Sequence, residues 1–488
     1  PVSLPPLQYS YAQTAAGDVT SWGAKGSFND HVSDFFQNGS NFINSVSVGG
    51  GTDIAQSYFS YSNTSAKGVV PSNTLGRHNF NFNQTASFFD KKLNLKANVN
   101  FIKQDVANRP ASGLYFNTLT GLYLFPRGLY FANYKKNFEV FNTNRNLNLQ
   151  NWHADADIQQ NPYWIINRNL SDNSRNRVIS GLTTSYAFND WLSLQLRGNI
   201  DKSFDNFEQR IYAGTQGTLS HPNGRYGFSK LTNTLLYGDA ILNIKRDFSE
   251  KLSFDASVGV SHNNRQVYSL LTDSGTNGGL NFANEFSLQN IKNPIQGTLS
   301  EGLSRVKTNS VFASTQFGYD NFLYLDITGR NDWSSSLPGK SFFYPSVGLS
   351  SIITEKMDLG GINFAKIRAS YAIVGSGIPA YLNNPIQERH QIVNGQLALT
   401  TVGVIPGTEL KPEKSKSFEV GLDMRALDNR LSLDLTYYKN NTIDQFIQIA
   451  APSGSGFTNY LVNAGNIQNS GIEGLIGYQI LKGSDLSW

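Results

Sequence analysis

The sequence predicts an all-β protein, a transmembrane antiparallel β-barrel. Three observations predict this fold class. Apolar and polar residues alternate with period two in many segments, sustained helical spacing is scarce, and short turns alternate along the chain with long connections. A barrel strand in a membrane exposes every second residue to lipid, so alternation rather than a long apolar run is its expected pattern.

The alternation is clearest in the segment KLNLKANVNF. Its apolar positions are Leu93, Leu95, Ala97, Val99 and Phe101, and its polar positions are Asn94, Lys96, Asn98 and Asn100. The segments WLSLQLRGN, KLSFDASVGV, SFEVGLDM and RLSLDLTYY repeat the pattern. Each is a strand with one apolar and one polar face. The clearest candidate helix is short, HVSDFFQNG, around Val32, Phe35 and Phe36.

The connections have two lengths. Short turns are predicted at Gly49–Gly51, Asp90–Lys92, Asn189–Asp190, Asp247–Glu250, Asp320–Asn321, Glu355–Gly361, Asp428–Asn429 and Lys482–Asp485. Long loops are predicted at about 104–177, 203–233, 263–307, 375–416 and 440–468. Two strands for each short turn give about 15–16 strands. A soluble β-sandwich or a propeller also alternates, but the one-sided loops and the lack of a fixed repeat favour the barrel.

Composition excludes several classes of protein. The chain has 488 residues with 40 basic and 36 acidic side chains, so its formal charge of +4 does not suggest a nucleic-acid-binding domain. It has no cysteine, which excludes disulfide frameworks and cysteine-ligated metal sites. The sequence contains no apolar run of about 18 residues, so it predicts no transmembrane helix. The opening PVSLPPLQYSYAQ lacks the features of a signal peptide.

The sequence offers no catalytic motif, so we expect no enzyme and no cofactor. There is no HExxH, no phosphate loop and no GxSxG elbow. The one weak candidate metal site is HADAD, in which His153, Asp155 and Asp157 would share one face of an extended segment. A solvated loop face explains the same residues.

The longest loop is unusually rich in aromatic residues. It contains Tyr123, Phe125, Tyr130, Phe131, Tyr134, Trp152, Tyr163 and Trp164. Aromatic rings stack on sugars and on peptide side chains, so these residues are candidates for binding substrate or a partner protein. Two alternatives remain open: the rings could pack the loop onto itself, or could form an interfacial aromatic girdle.

The polar strand faces predict the lining of a barrel lumen. These positions are Asn94, Lys96, Asn98, Gln195, Arg197, Asp255, Asp326, Arg368, Glu419, Asp423 and Asp434. Mixed charges among many amides favour hydrogen bonding over selection of one ion sign. The same positions could hold a plug domain.

Long segments resemble a known family. LKPEKSKSFEVGLDMRALDNRLSLDLTYYKNNTIDQF, residues 410–446, and NAGNIQNSGIEGLIGY, residues 463–478, resemble barrel strands of TonB-dependent outer-membrane transporters. LDITGRNDWSSSLPGKSFFYPSVGLS, residues 325–350, is similar to the SusC/RagA family of Bacteroidota, as are LPPLQYSYAQ, Ser21-Trp22-Gly23 and DFFQNGSNFINSVSVGGG near the N-terminus.

The resemblance implies a domain organisation. The family has a 22-stranded barrel closed by a plug. By that likeness, residues 1–40 are the end of the plug and its connection to the barrel, and residues 41–488 are an incomplete barrel. No TonB box is found, and Trp488 follows a turn rather than a full strand, so we expect an internal portion of a protein near twice this length.

The resemblance also implies a function. It is TonB-dependent import of oligosaccharides or oligopeptides across the bacterial outer membrane, with a SusD-like surface lipoprotein as partner and TonB contacted through a segment absent here. The alternatives are a passive pore or surface-binding outer-membrane barrel without energy coupling, and a secreted β-rich adhesive or glycan-binding protein. The substrate, glycan or peptide, is left open.

Overall fold

A computed structural model describes residues 30–293, 298–337, 341–381, 387–393, 396–404, 410–452 and 459–481. Its dominant element is one large sheet. The strands are β1 (Ser40–Gly51), β2 (Ala55–Lys67), β3 (Thr74–Phe88), β4 (Leu93–Ala107), β5 (Glu139–Asn142), β6 (Leu147–Gln150), β7 (Asn169–Ala187), β8 (Leu192–Ile211), β9 (Arg225–Ser249), β10 (Leu252–Asp273), β11 (Thr298–Tyr319), β12 (Leu323–Ser334), β13 (Ser341–Ile352), β14 (Ile362–Ser376), β15 (Gln387–Val393), β16 (Gln396–Val404), β17 (Glu413–Ala426), β18 (Leu431–Ala450) and β19 (Asn459–Tyr478).

The sheet is an up-and-down antiparallel meander. Of its strands, 15 follow one another in chain order, each paired with the next, from β1 to β19. The hairpin β15–β16 joins its edge through a parallel pairing of β16 with β19, and β5–β6 forms a separate small sheet. Among the described residues no pairing connects β1 to β19. The predicted all-β barrel fold and the predicted strand number are confirmed.

Helices are short. They are α1 (His31–Phe35), α2 (Thr118–Tyr123), α3 (Phe131–Lys136), α4 (Pro162–Arg168) and α5 (Gly275–Gly278), with 3₁₀ turns at Leu288–Asn290 and Ile353–Glu355. The first confirms the candidate helix around Val32 and Phe35. Within the described parts of the chain, no helix is both long and apolar enough to cross a membrane.

One end of the sheet carries the predicted short turns. Asp90, Asp320 and Asp428 adopt left-handed backbone angles, with φ of 53°, 52° and 55°. Asp and Asn tolerate this region better than most residues, which is why the sequence marks these turns. The first turn is displaced from Gly49–Gly51 to 52–54 because Gly51 still pairs with Gln56. The turn predicted at Lys482–Asp485 lies outside the described residues.

The two faces of the sheet differ in chemistry. One row of directly paired residues reads Leu196, Ala240, Val260 and Val311, and the adjacent row on the opposite face reads Arg197, Asp239, Ser261 and Ser310. We call the first the apolar face and the second the polar face. Val260 is 52% exposed, whereas Asp239 and Ser261 are buried. The period-two alternation in the sequence therefore separates two surfaces across neighbouring strands.

The other end of the sheet carries the long connections. Between β8 and β9 the connection is 212–224, shorter than the predicted 203–233, because the strands continue as paired ladders into that range. Two apolar clusters are buried among these connections. One is Phe35, Leu122, Phe125, Phe131, Tyr134, Trp152, Tyr163 and Ile166, here called the loop core. The other is Leu337, Phe342, Ile378, Leu410 and Leu461.

Candidate functional site

The connection between β4 and β7, residues 108–168, is a folded unit at the long-connection end. It contains α2, α3, α4 and the β5–β6 hairpin. Helix α1, which precedes β1, packs on it from outside: His31 Nε2 lies 2.7 Å from the carbonyl oxygen of Leu122, and the Phe35 ring is 5.3 Å from that of Tyr163. The loop core thus joins two parts of the chain about 90 residues apart.

Phe125 is the centre of the loop core. Its ring centroid lies 5.1–5.3 Å from those of His31, Phe131, Trp152 and His153. Most of these ring pairs are tilted or edge-to-face, the arrangements that aromatic quadrupoles favour. The dense aromatic composition of this segment is therefore explained largely by packing within the unit.

Asn161 organises the polar interior of the loop core. Its side chain accepts a hydrogen bond from the backbone N–H of Tyr163 at 2.9 Å, which caps α4. The same amide donates to the carbonyl oxygens of Tyr134 and Asn151 at 3.0 and 2.9 Å. Asn161 is fully buried, so these bonds satisfy groups that water cannot reach.

Two side chains of α4 anchor the unit to its surroundings. The Trp164 indole N–H donates to Thr215 Oγ1 at 2.9 Å, in the connection after β8. Arg168 forms a bidentate ion pair with Glu139 of β5, at 2.8 and 2.9 Å. Its guanidinium also lies 5.1 Å from the Tyr212 ring centroid, a cation–π distance. The Glu139 pair lies within the unit, whereas the contacts with Thr215 and Tyr212 hold the unit against the neighbouring connection 212–224.

Burial shifts the titration of groups in the loop core. Burial raises the pKa of Tyr163 to about 12, with a further contribution from the negative charge of Asp34. Burial lowers the pKa of His153 to about 4 because the charged imidazolium is poorly solvated among the rings. His153 is therefore neutral at pH 7.

The structure divides the predicted binding residues into two groups. Phe125, Phe131, Tyr134, Trp152, Tyr163 and Trp164 are buried in the unit. Tyr123 and Tyr130 are exposed, at 70% and 63%. A role in binding substrate or a partner stays a prediction, and the accessible rings for it are those of Tyr123 and Tyr130.

The weak metal candidate is not assembled. The segment around HADAD turns, with a β-bridge from Ala156 to Gln159, instead of extending. His153 points into the loop core, 4.7 Å from the Trp152 ring, whereas Asp155 is exposed. Over the described residues, no group of three or more His, Cys, Asp or Glu side chains could hold a metal ion. The expected spacing fails because the segment is not a strand.

The polar face carries a series of ion pairs, most of them between strands. Arg177 pairs with Asp201 at 2.8 Å. Arg197 pairs with Asp239, and Arg368 with Asp434 at 2.8 Å. Arg330 contacts both Asp332, at 2.7 Å, and Ser310, at 2.6 Å. Among the positions predicted from alternation, Arg197, Arg368 and Asp434 lie in these pairs, so much of the charge on this face is neutralised locally.

Several structural residues escaped the sequence analysis. Apart from the local cap that Asn161 forms with Tyr163, the hydrogen-bond partners that make Asn161, Glu139 and Arg168 structural lie 10 to 29 residues away. Asp239 could have been found by extending the period-two pattern through TLLYGDAIL, which places it on the polar face beside Tyr237.

The meander, its two faces and its one-sided folded connections define the class of antiparallel β-barrel receptors and transporters. The family model described as TonB dependent receptor-like, beta-barrel matches residues 121–488. The chain belongs to this family. Its members are receptors and transporters rather than enzymes, in agreement with the expectation from the sequence.

Individual relatives agree with the family. TonB-dependent receptor P26 of Formosa agariphila is 23% identical over 458 residues, which cover 91% of this chain and 44% of the relative. TonB-dependent receptor SusC of Bacteroides thetaiotaomicron is 23% identical over 487 residues, covering 91% and 45%. The predicted resemblance to SusC/RagA proteins is thereby confirmed. The chain spans about half the length of these two curated relatives.

A solved structure shows the same fold. The RagAB peptide transporter superposes with a TM-score of 0.76 at 18% identity, covering 94% of this chain and 51% of that chain. FpvA of P. aeruginosa, in a complex with a pyoverdine and iron, superposes with a TM-score of 0.58 at 13% identity, covering 91% of this chain and 53% of that chain. At these identities the likeness concerns the fold alone.

Proposed function

We propose that this chain forms part of the barrel wall of a TonB-dependent importer in the bacterial outer membrane. The observation that carries the proposal is the combination of a charge-lined polar face with folded connections at one end of the sheet only. In outer-membrane barrels the polar face lines the lumen, and the long connections lie outside the cell. The apolar face then contacts lipid.

The proposed cargo is an oligosaccharide or an oligopeptide. The polar face presents amides and paired charges, which suit hydrogen bonding to hydroxyl or peptide groups rather than attraction of one ion sign. The description of the RagAB structure as a peptide transporter supports the oligopeptide alternative. Exposed Tyr123 and Tyr130 would offer flat rings at the entrance to either cargo.

The proposed partner is a SusD-like surface lipoprotein that covers the long-connection end. The connection 108–168 is a folded platform with a packed core, which suits docking because little order has to be gained on binding. Residues 1–40, predicted as the end of a plug, are described only from 30 onward, where α1 packs on this platform at the long-connection end. The plug assignment remains a prediction.

The first test is purification of the native, full-length protein from outer membranes in mild detergent, followed by mass spectrometry of what accompanies it. A stoichiometric SusD-like lipoprotein is the expected result. A barrel purified alone would contradict the proposed partner and favour a simpler receptor or a passive pore.

The second test separates an active importer from a passive pore. Uptake of labelled oligosaccharides and oligopeptides is measured in cells with and without TonB. Loss of uptake without TonB is expected. Uptake that persists would overturn energy coupling while leaving the barrel architecture intact.

A further inference from the structure

One row of the apolar face has an unusual composition. Six directly paired residues cross β7 to β12 in the order Leu182, Gly198, Gly238, His262, Asn309 and Trp333. The rows on either side are mainly aliphatic near its centre, with Val260 and Ala240 on one side and Ile200 and Leu236 on the other. A glycine pair next to a polar pair is not what a uniform lipid-facing surface requires.

The two glycines make a trench. Gly198 and Gly238 are direct partners, and a Cβ at Gly198 would meet no atom within 4 Å. A cavity of about 1070 Å³ opens over them, bounded by Ile200, Leu236 and Val260 among others. Its floor is backbone and its walls are aliphatic, so its surface suits contact with a hydrocarbon chain.

A polar pair closes one end of the trench. His262 Nδ1 lies 2.6 Å from Asn309 Oδ1, and both side chains are exposed on the apolar face. Polar groups that face hydrocarbon are costly unless they are hydrogen-bonded. The position of this pair therefore indicates where the hydrocarbon layer ends along the strands and whether a polar group lies beside the pair.

The pair lies where the hydrocarbon should end. His262 is ten residues along β10 from Leu252, at the short-turn end. At about 3.3 Å per residue and a strand tilt of about 40°, this is about 25 Å above that end, the height of the apolar band in outer-membrane barrels. Trp333 lies in the same row, and Trp is enriched at membrane interfaces.

Basic side chains follow immediately beyond the pair. Lys307 lies two residues beyond Asn309 on the same side of β11, and Arg305 a further two. Arg305 donates a hydrogen bond to the side-chain oxygen of Gln266 on β10. Lys202 on β8 lies in the same cross-strand row as Gln266, so it adds a second positive charge at this level.

Acidic residues on this side lie farther out. Glu301 is four residues beyond Arg305, and Glu208 is six beyond Lys202. The level just above the apolar band is thus positively charged, which suits a phosphate group.

We propose that this row is a binding site for an anionic, phosphate-bearing lipid of the outer leaflet. One acyl chain lies in the trench over Gly198 and Gly238. The phosphate accepts hydrogen bonds from the side-chain amide N–H of Asn309, whose oxygen is held by His262 Nδ1, and from Lys307. The site rests on the proposed outer-membrane location but is independent of cargo, TonB and the lipoprotein partner.

The test uses the full-length protein reconstituted into vesicles of equal parts phosphatidylglycerol and phosphatidylcholine. Flotation of the vesicles first establishes insertion. Native mass spectrometry after extraction in mild detergent then counts retained lipids. We expect one retained phosphatidylglycerol in preference to phosphatidylcholine. Lys307→Gln should lower its retention about tenfold, the loss of one charge-assisted contact, and Gly238→Leu should abolish it by filling the trench.

Matched variants provide the controls. Lys96→Gln removes a lysine from the polar face of β4, and Gly76→Leu fills open space away from the trench. Both should retain the lipid as wild type does. Equal retention of the two lipids, or retention unchanged in Lys307→Gln and Gly238→Leu, would overturn the lipid site alone. A protein that fails to float with the vesicles would overturn the membrane location and the site together.

Discussion

Arg197 on β8 forms an ion pair with the carboxylate of Asp239 on β9, through Nε and one terminal nitrogen. Its Nε lies 3.0 Å from both carboxylate oxygens and its terminal nitrogen 2.6 Å from one of them. The Asp239 side chain is fully buried, and the Tyr237 hydroxyl donates to it at 2.7 Å. Of the acidic side chains that form ion pairs on the described polar face, Asp239 is the most deeply buried. We therefore infer that the pair holds neighbouring strands together and does not bind a ligand.

Asp239→Ala should destabilise the barrel. The substitution leaves the Arg197 guanidinium without its partner, but that side chain is 39% exposed, so we expect about 2 kcal/mol rather than the larger cost of a fully buried pair. Samples are incubated at a series of temperatures and run on a gel without boiling. The measurement is the incubation temperature at which the folded, fast-migrating form is lost. Asp172→Ala, which breaks the more exposed pair with Arg210, should cost below about 0.5 kcal/mol. Equal losses would contradict a structural role for Asp239.

Asn161→Ala should loosen the connection 108–168 without unfolding the sheet. It removes the α4 cap and two buried hydrogen bonds, at an expected local cost of about 3 kcal/mol. Hydrogen–deuterium exchange should rise in residues 118–168 and stay unchanged in β9 and β10. Asn117→Ala removes the exposed cap of α2 and should have a smaller effect. Faster exchange throughout the sheet would show that the unit is not independent.

The sheet could be predicted from the sequence because its signals are local. Alternation from Leu93 to Phe101 defines β4, and Asp428 marks a turn within three residues of the two strands that it joins. The loop core could not be predicted from the sequence, because its contacts join residues far apart in the chain. The His31 ring nitrogen hydrogen-bonds with the Leu122 carbonyl oxygen, and the Trp164 indole N–H donates to Thr215. The density of aromatic residues in 123–164 marked this segment as a candidate for packing or binding, but it did not indicate which rings face inward. Burial distinguishes Phe125 from Tyr123, although they are two residues apart.

Acid should weaken the loop core through His153. Its folded pKa of about 4 lies below the ordinary value of 6.5, so between these values the unfolded loop binds a proton that the folded loop does not. Stability is complete above pH 6.5 and falls as the pH drops towards 4, by at most about 3 kcal/mol. Exchange of residues 118–168, corrected for intrinsic rates, should increase from pH 7.5 to pH 5.

His153→Gln is the control for this pH dependence. It removes the titrating group, so the variant should be less stable at pH 7.5 but should show little further change at pH 5. A wild-type loop whose corrected exchange is identical at the two pH values would show that protonation of His153 is not coupled to folding of the unit.

Tyr123→Ala and Tyr130→Ala should weaken binding without destabilising the unit. Both rings project from the loop core into solvent, so their loss removes little packing, whereas exposed tyrosines often dominate interfaces. We expect each to lower the affinity for the proposed lipoprotein partner or the proposed cargo about tenfold, measured by titration with full-length protein. Exchange of residues 118–168 should stay at wild-type rates. Phe125→Ala, by contrast, should cost about 3–5 kcal/mol of loop stability, and any loss of binding would then follow from disorder. If the two tyrosine variants bind normally, contact lies on another part of the long-connection end, and the platform role of residues 108–168 loses its support.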